Sequence, residues 1–218
     1  GLRVRARHTC RIAERYGVAS GRVLEVGSAT GHTLSVFRRR GWDVVGIEPN
    51  ATMARYAREE LGVPTIATRV EDCELPAQLD CVLLLQVLEH LHSPMSTVMR
   101  LKDRLRSDGI IIVETWSVNS WVARCLGERW HQYDPPLVLH WFSPASLVHL
   151  MRQAGFGLVG MGRPIKFVTL QNGLMFLTKK APRVRNSLFG PILRSRLGRI
   201  MVPYPPLDVF WAVFRGRV

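Results

Sequence analysis

The sequence predicts an α/β fold of the doubly wound, Rossmann-like type, in a single domain that covers residues 1–218. Short apolar segments rich in Val and Ile alternate with helical patterns, as in sheets that carry helices on both faces. The segment 80–87 is almost wholly apolar, which is typical of a central parallel strand buried on both faces. A strand, a glycine-containing turn and a helix follow one another over 22–37. Sheets of this type cradle nucleotide-like ligands at such turns.

The composition favours a folded chain without a metal or disulfide framework. Its 218 residues are 47% hydrophobic, enough for one sizeable core. The four cysteines are scattered, with no CxxC pair and no paired His spacing, so neither zinc nor disulfides are predicted. We see no signal peptide and no apolar run long enough to span a bilayer, and therefore expect a cytoplasmic protein. The net charge of +13 suits nucleic acid, an anionic membrane, an acidic substrate or a solvated basic surface.

The chain begins with an arginine-rich segment, 1–20, in which apolar residues at helical spacing predict a helix that ends at Gly17. We expect this helix to be solvated and to cover the sheet edge, although its arginines also suit a nucleic-acid-binding arm. The first strand, 22–26, leads into the turn Gly27-Ser28-Ala29-Thr30-Gly31 and a helix to about residue 40. Glycines allow the backbone to approach a ligand there, but such turns also occur without one.

Acidic residues follow the second and third predicted strands. Glu48 comes directly after the strand 42–47, about 20 residues beyond the glycine turn, where a carboxylate can accept from both ribose hydroxyls of an adenosine. Glu71 and Asp72 follow the strand 63–70. They could accept from an adenine amino group, and a polar surface loop is the alternative.

The remaining elements complete the alternation. Gln86 is the one polar residue inside the fourth strand, 80–87, and lies near the carboxyl end at which ligands bind. Further helices are predicted over 51–61, 94–106 and 145–154, and further strands over 110–115, 158–168 and 208–215, the last at the sheet edge.

Two segments stand out from this pattern. Four of the six tryptophans lie in 116–142, which follows the fifth strand, so we expect it to form an apolar acceptor pocket or lid over the ligand-binding edge. The segment 170–202 is an excursion before the last strand. Its stretch 179–199 is basic without an acid and suits peripheral contact with an anionic membrane, a phosphorylated acceptor or a solvated surface.

Four blocks together resemble the class I S-adenosylmethionine-dependent methyltransferases: VLEVGSATG, VVGIEPN, LDCVLLLQVLEHLHSP and SDGIIIVET. VLEHLHSP is similar to the VLEH-x-x-D-P block of the branch that includes the ubiquinone-biosynthesis-type O-methyltransferases. The residues NSW at 119–121 and FSP at 142–144 resemble its small-molecule and sugar-modifying members. The resemblance covers about residues 20–160. It implies a seven-stranded, mostly parallel sheet with an antiparallel last strand beside the fifth.

The resemblance also implies S-adenosylmethionine as the cofactor, no metal, and a small-molecule, sugar or lipid-linked acceptor. Glu25 and the turn 27–31 would hold the methionine and ribose parts, and Glu48 the ribose hydroxyls. Glu71, Asp72 and the Cys73 backbone would meet adenine, and Gln86, Val87 and His90 would line the methionine end. The implied cofactor-binding residues are Glu25, Gly27, Ser28, Ala29, Gly31, Glu48, Pro49, Glu71, Asp72, Cys73, Gln86, Val87 and His90.

The sequence departs from the family pattern at two positions. The family often has a third glycine where Ala29 stands, and we expect the turn to tolerate one methyl group. It also often has a histidine at the position of Val138, so His140 is the first candidate for a general base near neutral pH. His131 and then His90 follow in order of position.

Three other functions remain open at this point besides in-line methyl transfer to such an acceptor. The net charge suggests a nucleic-acid methyltransferase, although no Asn/Asp-Pro-Pro-Tyr/Phe block follows the fourth strand. A nicotinamide-dependent oxidoreductase is disfavoured by the non-glycine residues Ala29 and His32. A non-catalytic adaptor that retains the ligand fold is the last alternative.

Overall fold

The computed structural model describes residues 2–164, 166–171, 195–204 and 208–216. The helices are α1 (Leu2–Arg15), α2 (His32–Arg38), α3 (Ala51–Glu59), α4 (Pro94–Lys102), α5 (Trp121–Leu126) and α6 (Pro144–Gln153). The strands are β1 (Arg22–Val26), β2 (Asp43–Ile47), β3 (Thr65–Ile66), β4 (Leu79–Leu85), β5 (Leu105–Trp116), β6 (Phe156–Gly162), β7 (Lys166–Thr169), β8 (Met201–Tyr204) and β9 (Val209–Gly216).

The main sheet has seven strands in the order β3-β2-β1-β4-β5-β9-β6. The pairs from β3 to β5 are parallel, whereas β9 runs antiparallel to both β5 and β6. The predicted fold class is therefore confirmed, including the antiparallel last strand beside the fifth. This strand lies inside the sheet, between β5 and β6, and not at its edge.

The sheet separates two apolar clusters, one under each layer of helices. The central strand β4 supplies both, because its side chains alternate: Val82 and Leu84 join one cluster, and Cys81 and Leu83 the other. Helix α1 packs its apolar side, including Ile12, against the second cluster, which also contains residues of β5 and β9. The helix thus covers a face of the central strands and not, as predicted, the edge of the sheet.

Several predicted boundaries are wrong for identifiable reasons. The third strand shrinks to two residues, because the chain turns back where the Thr68 N–H donates to the Ile66 carbonyl. The predicted sixth strand divides at Pro164, which has no N–H for a sheet ladder. Its second half, β7, pairs instead with β8 in a separate two-stranded sheet. Helix α5, inside 116–142, was not predicted.

The β7–β8 pair brackets the predicted basic excursion. Residues 172–194, which hold most of that excursion and of the stretch 179–199, lie outside the described residues. Among the helices that the structure describes, none is long and apolar enough to cross a membrane.

Candidate active site

A cleft of about 240 Å³ opens at the carboxyl ends of β1, β2 and β4, where ligands of open α/β sheets bind. It is lined by Val26, Gly27, Ile47, Glu48, Pro49, Arg69, Val70, Glu71, Val87, His90 and Leu91. Of the predicted cofactor residues, Gly27, Glu48, Pro49, Glu71, Val87 and His90 therefore meet around one cleft.

The glycine turn forms one wall of this cleft. The N–H groups of Gly27 and Ser28 donate to the Ile47 carbonyl, at 2.8 and 3.1 Å, which ties the turn to the end of β2. Gly27 has φ 68°, and a Cβ on it would meet the side chain of Val87 at 2.5 Å. Ala29 adopts φ 47°, a left-handed conformation in which glycine is commoner. The turn therefore holds Ala29 at a positive φ, which non-glycine residues adopt uncommonly.

Glu48 is fixed at the tip of β2 by two backbone donors. The residue is only 7% exposed, and its carboxylate accepts from the Ala29 N–H at Oε2 and from the Asn50 N–H at Oε1, both at 2.9 Å. A carboxylate offers about four lone-pair directions, so each oxygen can accept one more hydrogen bond. Two adjacent hydroxyl groups of a ribose match that remaining capacity.

Glu25 is a buried carboxyl that lacks a full set of partners. It is 4% exposed, and its Oε2 has no hydrogen-bond partner among the described residues. Burial raises the pKa of Glu25 to about 8, although the nearby Arg5 guanidinium favours the charged form. An ammonium group nearby would stabilise the ionised carboxylate. The methionine part of the predicted cofactor carries such a group, so this orphaned oxygen fits it.

The loop after β3 divides the three residues predicted to meet adenine. Glu71 lines the cleft, whereas Asp72 is exposed and Cys73 is buried, and neither of these two lines it. The Arg100 guanidinium in α4 holds this loop by donating to the carbonyls of Val70 (2.8 Å), Glu71 (3.0 Å) and Cys73 (2.7 Å). Sequence reasoning missed Arg100, because nothing in its own helix marks it.

Gln86 lies at the end of β4 but is bonded away from the cleft lining. With φ 62°, it donates from its backbone N–H to the Glu114 carbonyl at 2.6 Å and from Nε2 to Glu114 Oε1 at 3.0 Å. Arg5 of α1 forms an ion pair with the same carboxylate, at 2.7 Å between Nη2 and Oε1. Neither Arg5 nor Glu114 was predicted, since their pairing joins segments far apart in the chain.

The aromatic segment 116–142 is fastened to the residues that follow β4. The N–H groups of Leu139 and His140 donate to the Glu89 carbonyl, at 2.9 and 3.1 Å. His90 Nδ1 lies 2.6 Å from the Leu137 carbonyl, and His140 Nε2 lies 3.0 Å from the Leu91 carbonyl. Since a carbonyl only accepts, these nitrogens carry protons, and the neutral form of each ring has its lone pair on His90 Nε2 or His140 Nδ1.

The three candidate histidines occupy different environments. His90 is exposed and lines the cleft, whereas His140 is half-buried and does not line it. His131 is 8% exposed and packs edge-on against Trp116 and Trp130, with ring centroids 4.7 and 6.0 Å away. Val138, which stands where the family often has histidine, is buried at 5% exposure.

Glu89 is a further buried carboxyl beside the cleft. It is 2% exposed and accepts from the Thr115 hydroxyl at 3.0 Å, and burial raises its pKa.

In the described part of the chain, no cluster of three or more His, Cys, Asp or Glu side chains could hold a metal ion.

Comparison with known proteins agrees with the fold. The methyltransferase domain family matches residues 3–160. The chain therefore belongs to that family, and its fold is that of the S-adenosylmethionine-dependent methyltransferases.

Among its relatives is the ubiquinone biosynthesis O-methyltransferase of Rhodopseudomonas palustris strain HaA2, which is 28% identical over 171 residues. That match covers 71% of this chain and 62% of the relative, so the chain spans about three-fifths of the relative's length. The tRNA U34 carboxymethyltransferase of Azotobacter vinelandii is 32% identical over 160 residues, which cover 67% of this chain and 48% of that protein.

A solved structure with the same fold is the 1,6-didemethyltoxoflavin-N1-methyltransferase of Burkholderia thailandensis, with bound 1,6-didemethyltoxoflavin and S-adenosylhomocysteine. The two folds superpose with a TM-score of 0.61 at 18% identity, covering 99% of this chain and 80% of the other.

Proposed function

We propose that this protein transfers a methyl group from S-adenosylmethionine to a small-molecule, sugar or lipid-linked acceptor. The observation that carries the proposal is the Glu48 carboxylate, which lines the cleft and is held by two backbone N–H groups. Each of its oxygens can accept one further hydrogen bond. A carboxylate fixed in this way recognises a vicinal diol, which the cofactor's ribose provides.

The other ends of the cofactor have matching residues. Gly27 lines the cleft, and the buried Glu25 has an unpartnered oxygen that suits an ammonium group. Glu71, predicted to meet adenine, and Val87 and His90, predicted to line the methionine end, all line the cleft. When bound, S-adenosylmethionine supplies a methyl group activated on a sulfonium sulfur, which leaves binding, alignment and exclusion of water to the protein.

The acceptor would bind against the aromatic segment 116–142. Its hydrogen bonds to Glu89, His90 and Leu91 fasten this segment beside the cofactor cleft. Exposed apolar groups here include Trp121 at 70% and Leu137 at 68% exposure. Apolar side chains next to a cofactor cleft suit an acceptor with an apolar part and help to exclude water.

His90 is the candidate that the geometry favours as a proton acceptor. Its Nδ1–H is held by the Leu137 carbonyl, which leaves Nε2 to take a proton, and the side chain lines the cleft. His140 offers Nδ1 in the same way but does not line the cleft. His131 is buried between tryptophan rings, where a role in packing this segment is sufficient.

The named relatives support both a small-molecule and an RNA substrate. One of them is an O-methyltransferase of ubiquinone biosynthesis, and another acts on a tRNA nucleotide. We favour the small molecule because the aromatic segment beside the cleft has exposed apolar side chains such as Leu137. Membership of the methyltransferase family also favours methyl transfer over nicotinamide-dependent hydride transfer.

An acceptor screen tests the proposal. The chain is incubated with methyl-labelled S-adenosylmethionine and pools of catechols and phenols, nucleotide sugars, membrane-lipid extract or unmodified tRNA. We expect label in a small-molecule, sugar or lipid pool, and little of it with a Glu48→Ala variant. Label confined to tRNA, or no transfer in any pool despite cofactor binding, would contradict the proposal.

A further inference from the structure

A second cavity, of about 430 Å³, lies between α1 and the end of α2, and it is lined by Arg3, Arg7, Val36, Arg39 and Arg40. We call it the arginine groove. It shares no lining residue with the cofactor cleft, so the methyltransferase site does not account for it.

The arginine groove carries a strong uncompensated positive charge. Glu14 pairs with Arg40, whereas no ion pair of Arg3, Arg7 or Arg39 occurs within the described residues. All 17 Asp and Glu residues lie in the described part of the chain, so the segment 172–194 has no carboxylate to offer the groove. A concave surface lined by cations of one sign attracts an anionic partner.

The arrangement of these arginines is linear. Arg3 and Arg7 are four residues apart on α1, and Arg11 and Arg15 continue the series at the same spacing, all of them exposed. Each step advances about 6 Å along the helix axis. A row of guanidinium groups at such a repeat matches a polyanion with charges at regular intervals, and guanidinium binds phosphate in bidentate fashion.

A bilayer surface fits this face less well. The apolar side of α1, including Ala6, Cys10 and Ile12, is buried in the protein core and is not free to enter lipid. The exposed large apolar side chains of α1 are Leu2 and Val4 in its first turn. The arginine groove is also concave, which suits a strand that lies in it better than a flat array of headgroups.

We propose that the arginine groove binds the phosphodiester backbone of a nucleic-acid strand. Binding of this kind depends on the charge and spacing of the phosphates but not on the nucleotide sequence. The proposal does not require the nucleic acid to be the methyl acceptor, because the groove and the cofactor cleft are lined by different residues. The surface would be a docking site on a small-molecule methyltransferase, independent of whether the acceptor proposal holds.

Fluorescence anisotropy tests this proposal. A labelled oligouridylate of about 20 nucleotides is titrated with the full chain at several KCl concentrations between about 50 and 300 mM. The variant Arg3→Gln/Arg7→Gln is compared with Arg55→Gln/Arg152→Gln, which removes the same charge at exposed positions on α3 and α6. We expect the groove variant to bind about tenfold more weakly and its log K against log[salt] slope to fall by about 1.4, for two lost phosphate contacts.

Other outcomes would overturn the proposal. Equal losses in both variants would show that binding follows net charge alone, and no binding by the wild-type chain would exclude the surface outright. Sedimentation with phosphatidylglycerol vesicles is the parallel assay. If the groove variant lost vesicle binding but kept oligouridylate binding, the partner would be a bilayer. Unchanged melting temperatures and S-adenosylhomocysteine affinities would show that both variants fold.

Discussion

Buried carboxyl groups in and around the candidate site differ in the donors and cations that surround them. Glu48 accepts from two backbone N–H groups, and Glu114 is paired with the Arg5 guanidinium. Glu25 and Glu89 are buried with at least one oxygen lacking a partner among the described residues, and burial raises the pKa of both. All four carboxyls are buried, but the donors and cations around them differ.

Glu25 should make the stability of the ligand-free protein depend on pH. Its pKa of about 8 lies above the ordinary value of 4.5, so the folded state holds a proton that the unfolded state has released between these values. The free energy of unfolding should therefore fall as pH rises from about 5 to 8, by up to a few kcal/mol. Urea unfolding at several pH values measures it, with Glu25→Gln as the uncharged control. Parallel pH profiles for the two proteins would exclude this role of Glu25.

His90 can be tested once an acceptor is known. If Nε2 takes the acceptor's proton, His90→Gln should lower kcat by about 100-fold. His140→Gln is the matched control, because its ring also bonds a backbone carbonyl but does not line the cleft. An unchanged kcat in His90→Gln, or a loss confined to His140→Gln, would assign the role elsewhere. Cofactor affinity is measured separately for both variants.

Elements far apart in sequence complete the cofactor cleft. Helix α4 contributes Arg100, which holds the loop after β3 through three carbonyls. Helix α1 contributes Arg5, which pairs with Glu114 on β5, while Glu114 in turn accepts from Gln86. Each of these helices thus positions a loop or strand end that belongs to another part of the chain.

Replacing Arg100 should loosen the loop after β3. Arg100→Met keeps much of the side-chain volume but removes three charge-assisted hydrogen bonds, so we expect a loss of about 2 kcal/mol in the free energy of unfolding. S-adenosylhomocysteine should bind several-fold more weakly, because Val70 and Glu71 line the cleft. Urea unfolding and titration calorimetry measure both effects, and Arg152→Met on α6 controls for the loss of a helical arginine. Equal behaviour of the two variants would contradict the role of Arg100.

At the scale of the whole molecule, the predictable features are those that depend on local sequence. The apolar run marks strand β4, and the glycine turn marks the carboxyl end of β1. The carboxyl ends of parallel strands meet at one edge of the sheet. Gly27 and Glu48 can therefore be assigned to one site from the sequence alone. Pro164 is a visible break in the sixth strand, yet the apolar pattern on either side of it predicts one continuous strand.

The features that could not be predicted depend on packing between distant segments. Arg5 meets Glu114 across 109 residues, and Arg100 meets its carbonyls across 27 to 30. Neither arginine differs in local pattern from the many others in a chain with 30 basic residues. The groove between α1 and α2 could not be predicted either, because only the fold brings Arg39 beside Arg3 and Arg7.

The central claim is that the cleft at the ends of β1, β2 and β4 binds S-adenosylmethionine through Glu48. Titration calorimetry with S-adenosylhomocysteine tests it most directly, because binding needs no acceptor. We predict one site per chain, and about 100-fold weaker binding by a folded Glu48→Ala variant, for the loss of two hydrogen bonds to a charged acceptor. No binding by the wild-type chain, or equal affinity in Glu48→Ala, would contradict the account.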